Sequence, residues 1–387
     1  MKIAKSVNRL GTEAVYNIFA KTKKLAQQGK KIIDLSLGQS DFKSPKHAVD
    51  ATIRALKDGH HGYTLPNGVI ECREAVSRKI KSLYNANISP ERIVIMPGGK
   101  PTMHYAISFF GEPSAEIIYP DPGFPIYESM INYTGAKAVP FNLAENKDFS
   151  INPDKILSLI NENTRLLILN NPNNPTGSFT EKTVIDKLAK GLINFPHVTI
   201  LSDEIYDRLI FDKKEIPTLF NYPDLYDRLI VLNGWSKTYA MTGWRLGWGV
   251  WPEQLIEHVF KFCVNNHSCV NTAAQYGAIA ALDGPEDHLH DMMGEFTIRR
   301  KLIVDGLRSL KGVECSLPGG SFFVFPSVKG TGMNGEEFTN KCLQEAGVAI
   351  IAGTAFGKFA TANVRFNFAT SRENISKAIE KIDKILK

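Results

Sequence analysis

Five short, largely apolar runs recur along the first two thirds of the chain, and helix-like segments alternate with them. Continuous apolar runs of this length are typical of strands buried on both faces. Strands that alternate with helices favour a mostly parallel sheet covered by helices. Ligands of such sheets bind beyond the carboxyl ends of the strands, so the residues after each run are candidates for a functional site. The runs are residues 93–96, 115–119, 166–169, 198–201 and 229–232.

The pattern changes after Gly284-Pro285. Apolar residues between Leu289 and Leu310 mark one face of a long helix, and short strand-like segments and a final helix follow. We therefore predict an α/β protein with a three-layer αβα large domain, residues 40–284, whose sheet is mostly parallel. A smaller α+β domain combines an N-terminal arm, residues 1–39, with residues 285–387.

Composition excludes several classes of function. The net charge of +6 over 387 residues is mild, and no block of like charges suggests nucleic acid as the main partner. The five cysteines are scattered without C-x-x-C spacing, so we expect reduced thiols, no disulfide framework and no metal site. No apolar stretch approaches the ~18 residues of a membrane span, and the N-terminus lacks the apolar core of a signal peptide. We expect a cytoplasmic protein without a membrane partner.

Lys237 follows the last apolar run within a few residues. An ammonium held at the rim of a sheet is partly desolvated, which lowers its pKa and makes the amine a usable nucleophile. Arg245 lies eight residues further on between glycines, where backbone can approach a ligand closely. The alternative is a solvated surface lysine, but the flanking Trp235 and Trp244 favour a packed segment. An amine and a fixed cation together suit a cofactor that has a carbonyl and a phosphate.

Asp203 ends another apolar run and is expected to be partly buried, so it needs a cationic partner. For a pyridine cofactor that partner would be the protonated ring nitrogen; the alternative is an Asp that caps the following turn. If such a ring carried a phenolic oxygen, that oxygen would accept a hydrogen bond from Tyr206, three residues on. Residues 170–177 contain two Asn-Pro steps that fix an amide side chain rigidly, although the same residues also make ordinary turns.

Two further segments indicate anion binding. Gly98-Gly99-Lys100 lies between a strand and a helix and offers backbone N–H groups to a phosphate, with Gly99 and Lys100 as the amides. This signal is weak alone, because such turns are common. Arg365 lies inside an apolar strand, where a guanidinium needs an anion such as a carboxylate held by two hydrogen bonds. A G-x-G-x-x-G pattern at residues 330–335 is interpreted as a plain loop.

Three motifs together resemble the class I/II, fold-type-I pyridoxal-phosphate-dependent aminotransferases. Residues 171–177 read NPNNPTG, residues 236–247 read SKTYAMTGWRLG, and residues 364–371 read VRFNFATS. The three motifs follow one another along the chain in the order found in the family. The match spans essentially the whole chain, from Gly38 to Arg365. One departure is Gly234, where relatives often carry a phosphate-binding serine.

The resemblance implies a pyridoxal 5′-phosphate cofactor bound as a Schiff base to Lys237. It further implies that Asp203 keeps the ring nitrogen protonated, that Tyr206 and Asn174 contact the ring oxygen, and that Phe124 stacks on the ring. The phosphate would be held by Gly99, Lys100, Ser236, Arg245 and, across a homodimer interface, Tyr63. Gly38, Asn174 and Arg365 would bind the substrate α-carboxylate, and Lys237, Asp203 and Tyr206 would be the catalytic residues.

The function implied is transfer of an amino group from an L-amino acid to a 2-oxo acid by a ping-pong mechanism. A C–S β-lyase on the same fold is the alternative enzyme, and a cofactor-sensing regulator fused to a DNA-binding domain is the alternative outside enzymes. The amino acid itself stays open. Lys100 favours a distal carboxylate, Glu13 favours a cationic side chain, and Tyr16 with Phe19 favours an apolar one.

Overall fold

The computed structural model describes residues 1–212 and 216–387, except for the side chains of residues 14, 15, 17, 19 and 26. A seven-stranded sheet forms the centre of the molecule. Its strands are β2 (Ile93–Met96), β3 (Glu116–Asp121), β4 (Lys137–Asn142), β5 (Thr164–Asn170), β6 (Thr199–Asp203), β7 (Leu229–Gly234) and β8 (Gly247–Val250).

The strand order is β2-β8-β7-β6-β5-β3-β4. The pairs from β7 through β6, β5 and β3 to β4 are all parallel, whereas β8 runs antiparallel to both of its neighbours, β7 and β2. Gly247 at the start of β8 therefore pairs with Gly234 at the end of β7 and with Met96 at the end of β2. The carboxyl ends of the parallel strands meet at one edge of this sheet.

Successive residues of each central strand enter different hydrophobic clusters because side chains alternate across a sheet. Ile200 and Val231 belong to one cluster, and Leu201 and Ile230 belong to another. One face is covered by α2 (Lys46–Lys57), α3 (Ile70–Tyr84), α6 (Pro153–Ser158), α7 (Lys182–Leu192) and α9 (Thr272–Asp283). The opposite face is covered by α4 (Lys100–Phe110), α5 (Ile126–Thr134) and α8 (Ile256–Asn266). The predicted three-layer α/β fold with a mostly parallel sheet is confirmed.

A third hydrophobic cluster forms mainly from the C-terminal part of the chain. The predicted long helix is α10 (Asp287–Ser309), and its apolar face buries Leu289, Met292, Phe296 and Ile303 against short strands. The remaining elements are α1 (Ala14–Gln27), β1 (Ile33–Asp34), β9 (Phe323–Val324), α10 (Asp287–Ser309), α11 (Gly335–Lys341), β10 (Val348–Ala349), β11 (Ile351–Ala352), β12 (Val364–Asn367) and α12 (Arg372–Leu386).

This third cluster also takes in Leu35 from the N-terminal segment and Tyr206 and Leu209 from the segment after β6. The cluster thus packs against the edge of the sheet where the parallel strands end. The division into residues 40–284 and the two terminal segments stays a prediction. Across the described ranges, no helix has both the length and the apolar character needed to cross a bilayer.

Candidate active site

A cavity of about 440 Å³ opens at the carboxyl ends of the parallel strands. It lies where the large sheet meets the segments around β1, β11 and β12. Eleven of the twelve residues that the sequence nominated for the site line this cavity: Gly38, Gly99, Lys100, Phe124, Asn174, Asp203, Tyr206, Ser236, Lys237, Arg245 and Arg365.

Tyr63 is the nominated residue that does not line the cavity. It lies between α2 and α3 and is 93% exposed. Its predicted contact is with the cofactor of a neighbouring subunit, and that prediction requires an oligomer.

Lys237 follows β7 and points its amine into the cavity. Its Nζ donates a hydrogen bond to the backbone oxygen of Gly38 at 2.7 Å, and the ring centroids of Tyr206 and Phe322 each lie 5.7 Å away. Burial, together with the positive charges of Arg365 and Arg245, lowers the pKa of Lys237 to about 8. The amine is therefore much easier to deprotonate than a surface lysine.

Asp203 is the last residue of β6 and is buried. Its Oδ2 accepts a hydrogen bond from the hydroxyl of Tyr127 at 2.6 Å, and its Oδ1 accepts one from the backbone N–H of Ile205 at 3.2 Å. Burial raises the pKa of Asp203 to about 6, although the two hydrogen bonds and the charge of Lys237 oppose the rise. A buried carboxylate of this kind is stabilised by a cation in the cavity.

The contact of Tyr127 with Asp203 was not predicted from the sequence. Tyr127 lies in α5, where a tyrosine among apolar residues looks like core, and burial raises the pKa of its hydroxyl well above the ordinary value. The hydroxyl therefore stays protonated and donates to Asp203. Burial also raises the pKa of Tyr206, which packs edge-on against Phe322 and Phe323 at 5.6 and 5.9 Å between ring centroids.

Arg365 is buried in β12 and lies between two aromatic rings. The centroids of Phe323 and Phe356 lie 4.3 and 4.7 Å from its guanidinium carbon. Its Nη1 donates to Oδ1 of Asn174 at 2.8 Å, and its Nη2 donates to the backbone oxygen of Ser36 at 2.6 Å. Its Nε is buried without a hydrogen-bond partner within the described residues. Burial lowers the pKa of Arg365 to about 10, so the guanidinium remains charged at neutral pH.

The turn before α4 and Arg245 form a compact cationic corner. Gly98 has φ of +90°, and a Cβ there would lie 2.2 Å from Nη2 of Arg245. A Cβ on Gly247 would lie 2.4 Å from the carbonyl carbon of Gly98, so β8 also approaches this turn closely. Arg245 itself donates to the backbone oxygen of Thr242 at 2.8 Å. The N-terminus of α4, its N–H groups and this guanidinium together suit an anion.

Lys100 and Glu13 form an ion pair at the cavity, which the sequence did not reveal because 87 residues separate them. The side chain of Glu13 is 12% exposed and that of Lys100 is 45% exposed. The Nζ of Lys100 lies 5.9 Å from the ring centroid of Tyr16 and 5.5 Å from that of Phe124. The side chain of Phe19, also nominated for this region, lies outside the described side chains.

The chain is similar to known proteins over nearly its whole length. Residues 30–382 match the family model described as "Aminotransferase class I and II". An aspartate aminotransferase of Pyrococcus horikoshii is 35% identical over 387 residues, which cover 99% of this chain and 97% of the relative. An aromatic-amino-acid aminotransferase of Thermococcus litoralis is 32% identical over 366 residues, with 94% of each chain covered.

The crystal structure of the aspartate aminotransferase from Rhizobium meliloti matches with a TM-score of 0.95 at 28% identity, covering 100% of this chain and 99% of the other. The chain belongs to the class I and II aminotransferases. It is therefore an enzyme that transfers amino groups. The comparisons give no support to the C–S β-lyase alternative.

Proposed function

We propose that the cavity binds pyridoxal 5′-phosphate through Lys237 and transfers an amino group between an L-amino acid and a 2-oxo acid. When bound, pyridoxal phosphate supplies an aldehyde that condenses with amines and a protonated ring that withdraws electrons from the substrate Cα. The observation that carries the proposal is one cavity that holds an amine of lowered pKa, a buried carboxylate and a buried guanidinium: Lys237, Asp203 and Arg365.

The cationic corner fits the phosphate. The backbone amides of Gly99 and Lys100, the hydroxyl of Ser236 and the guanidinium of Arg245 would hold it at the N-terminus of α4. Gly98 leaves the space that the guanidinium fills. Gly234 contributes no side chain to the phosphate. The structure gives a steric reason for the glycine, because a Cβ there would lie 2.7 Å from Cα of Gly247.

The centre of the cavity fits the ring. Asp203, oriented by Tyr127, would stabilise the proton on the ring nitrogen, and that positive charge would in turn stabilise the buried carboxylate. Phe124 would pack on the face of the ring, and Tyr206 and Asn174 would donate to its oxygen. The raised pKa of Tyr206 keeps its hydroxyl protonated for that purpose.

The substrate α-carboxylate would bind between Arg365, Asn174 and the backbone of Gly38. The guanidinium of Arg365 is held in place by Asn174, Ser36 and two aromatic rings, so little side-chain entropy is lost on binding. Lys237, once its amine is free, would take the proton from the substrate Cα and return it to the carbon that the aldehyde of the cofactor supplies. A base with a pKa near the working pH contributes about 10²–10⁴-fold to such a step.

Covalent labelling tests the proposal without relying on turnover. Borohydride reduction of the protein loaded with pyridoxal phosphate, followed by peptide mass spectrometry, should find the cofactor mass on Lys237. Lys237→Ala should lose both the label and all transamination. Lys100→Gln, which changes the other lysine of the cavity, should keep the label on Lys237. A label distributed over surface lysines, or transamination by Lys237→Ala, would contradict the assignment.

The proposal includes a cytoplasmic homodimer in which Tyr63 of the partner subunit reaches the phosphate. Two observations support the dimer. Tyr63 is 93% exposed, and Val49, Ile53 and Leu56 form an exposed apolar stripe on α2 just before it. An isolated subunit would leave this apolar stripe in water.

A further inference from the structure

The ion pair between Glu13 and Lys100 bears on which amino acid the enzyme uses. The charged side chains that line the cavity, among the described residues, are Lys100, Lys237, Arg245, Arg365, Glu13 and Asp203. Under the proposed function, Arg245 is neutralised by the phosphate, Arg365 by the α-carboxylate and Asp203 by the ring nitrogen, while Lys237 is bound covalently. Glu13 and Lys100 are then the two charges without an assigned partner, and they are paired with each other.

The N-terminal arm holds Glu13 in this position. Arg9 donates to the backbone oxygens of Asn132 and Tyr133 at 2.6 and 2.7 Å, and the backbone N–H of Gly11 donates to the hydroxyl of Ser129 at 2.9 Å. These contacts fasten the arm to the end of α5, immediately before Glu13. The carboxylate is therefore delivered to the cavity by an anchored segment.

The surroundings of the pair are largely apolar and aromatic. The rings of Tyr16 and Phe124 lie close to the Lys100 amine, and Met103 and Ile351 line the same cavity. The Glu13 carboxylate also acts on the charges deeper in the site, because it opposes the lowering of the pKa of both Lys237 and Arg365. A second negative charge entering here would meet repulsion from Glu13 and, among the described side chains, no unpaired cation.

We propose that Glu13 determines the donor preference by occupying Lys100 as an internal substitute for a substrate carboxylate. Amino acids with neutral, apolar or aromatic side chains leave the pair intact and are the favoured donors. Dicarboxylic amino acids must displace Glu13 before they can reach Lys100. This inference rests on the proposed function and assigns its substrate class.

The test is the donor half-reaction of the protein loaded with pyridoxal phosphate, followed by absorbance in a single turnover. Rate constants divided by half-saturating concentrations are compared for aspartate and glutamate against leucine and phenylalanine. Glu13→Gln should raise the acidic-to-neutral ratio by about ten-fold or more, since a charged hydrogen-bonding partner becomes available to the substrate. Glu13→Ser should give the same direction.

Two further variants identify the cause. Glu13→Gln combined with Lys100→Gln should lose the gain, because the gain requires an unpaired Lys100. Glu373→Gln, which removes the carboxylate of an exposed pair with Lys377 on α12, should leave the ratio unchanged. Glu13→Asp, which keeps the charge, should stay closer to the wild type than Glu13→Gln does.

The possible outcomes distinguish a failure of the role of Glu13 from a failure of the proposed aminotransferase function. A wild type that converts neutral donors, with an unchanged ratio in Glu13→Gln, overturns the role of Glu13 and leaves the aminotransferase assignment standing. A wild type that prefers aspartate to every neutral donor also overturns it. If the wild type reacts with no donor although it carries the cofactor on Lys237, both the proposed function and this inference fail.

Discussion

Burial shifts the pKa of Lys237 down to about 8 and that of Asp203 up to about 6. Both side chains are thereby moved toward the pH at which proteins work, in opposite directions and for the same reason: low solvation disfavours the charged form of either group. Each shift has a measurable consequence in the protein without cofactor.

The rate at which the cofactor-free protein forms its covalent bond with pyridoxal phosphate should rise with pH around a midpoint of about 8. The reacting species is the neutral amine, and its fraction grows as the pH passes the pKa. Stopped-flow absorbance across this range measures the profile. A midpoint near the ordinary value of 10.5 would show that Lys237 is solvated.

Replacing Asp203 should stabilise the cofactor-free protein while impairing catalysis. The pKa of Asp203 is higher in the folded protein than its ordinary 3.8, so the folded state binds this proton more tightly than the unfolded state. The free energy of unfolding therefore falls as pH rises from about 3.8 to about 6, by at most roughly 3 kcal/mol. Asp203→Asn escapes this loss, and its gain over wild type should be larger at about pH 8 than at about pH 5.

Thermal unfolding at the two pH values measures the difference. Asp305→Asn removes an exposed carboxylate on α10 and should show no such pH dependence. An Asp203→Asn protein that is less stable than wild type by the same amount at both pH values would contradict the expected ionisation.

Site residues at the ends of strands could be predicted from the sequence, because their position beside apolar runs implied that they are buried. Lys237, Asp203 and Arg365 each follow or lie within an apolar run, and all three line one cavity. The partners of these residues were harder to predict. Tyr127 looks like a core tyrosine, and the pairing of Glu13 with Lys100 depends on how the arm folds back over the sheet.

At the scale of secondary-structure elements, the reversed strand β8 starts two residues after Arg245 and packs closely against Gly98 in the turn before α4. The glycines on either side of Arg245 and the nearby Trp244 predicted a packed segment but no strand. Glycine is unfavourable in strands, so Gly247 and Gly249 concealed β8. Their lack of side chains is nevertheless required, since a Cβ on Gly247 would collide with Gly98 and one on Gly249 with Thr102.

Gly98→Ala should weaken the binding of pyridoxal phosphate by about ten-fold or more, because the new Cβ displaces a guanidinium that makes charge-assisted hydrogen bonds. Fluorescence titration of the cofactor-free protein measures the affinity. Gly29→Ala is the matched control: Gly29 also has a positive φ, of +83°, but a Cβ there meets nothing within 4 Å. Equal losses of affinity in the two variants would trace the effect to backbone strain alone.

At the scale of the whole molecule, the alternation of apolar runs and helices was enough to predict the fold class. The order of the strands was not predictable, because every central strand is buried on both faces and sequence alone does not distinguish its neighbours. Quaternary structure was predicted only through the resemblance. In the sequence, the exposed apolar stripe on α2 has the same spacing as the buried apolar face of any amphipathic helix.

Ile53→Asp should convert the proposed dimer to monomers and lower its affinity for pyridoxal phosphate. A charge in the middle of the α2 stripe is costly to bury, and loss of the partner would remove Tyr63 from the phosphate. Sedimentation velocity and cofactor titration measure the two effects. Ile298→Asp, at an exposed position of α10, should change neither quantity. A wild type that sediments as a monomer would contradict the proposed assembly.

The excursion from β7 to β8 begins after Gly234 and ends at Gly247, and these two glycines pair with each other. Lys237 and Arg245 both lie in the segment that connects these two strands. An insertion or deletion of a single residue between Lys237 and Arg245 would leave Gly234 and Gly247 free to pair, but it would shift the amine relative to the guanidinium. The number of residues between Gly234 and Gly247 therefore fixes the geometry of the cavity as much as their side chains do.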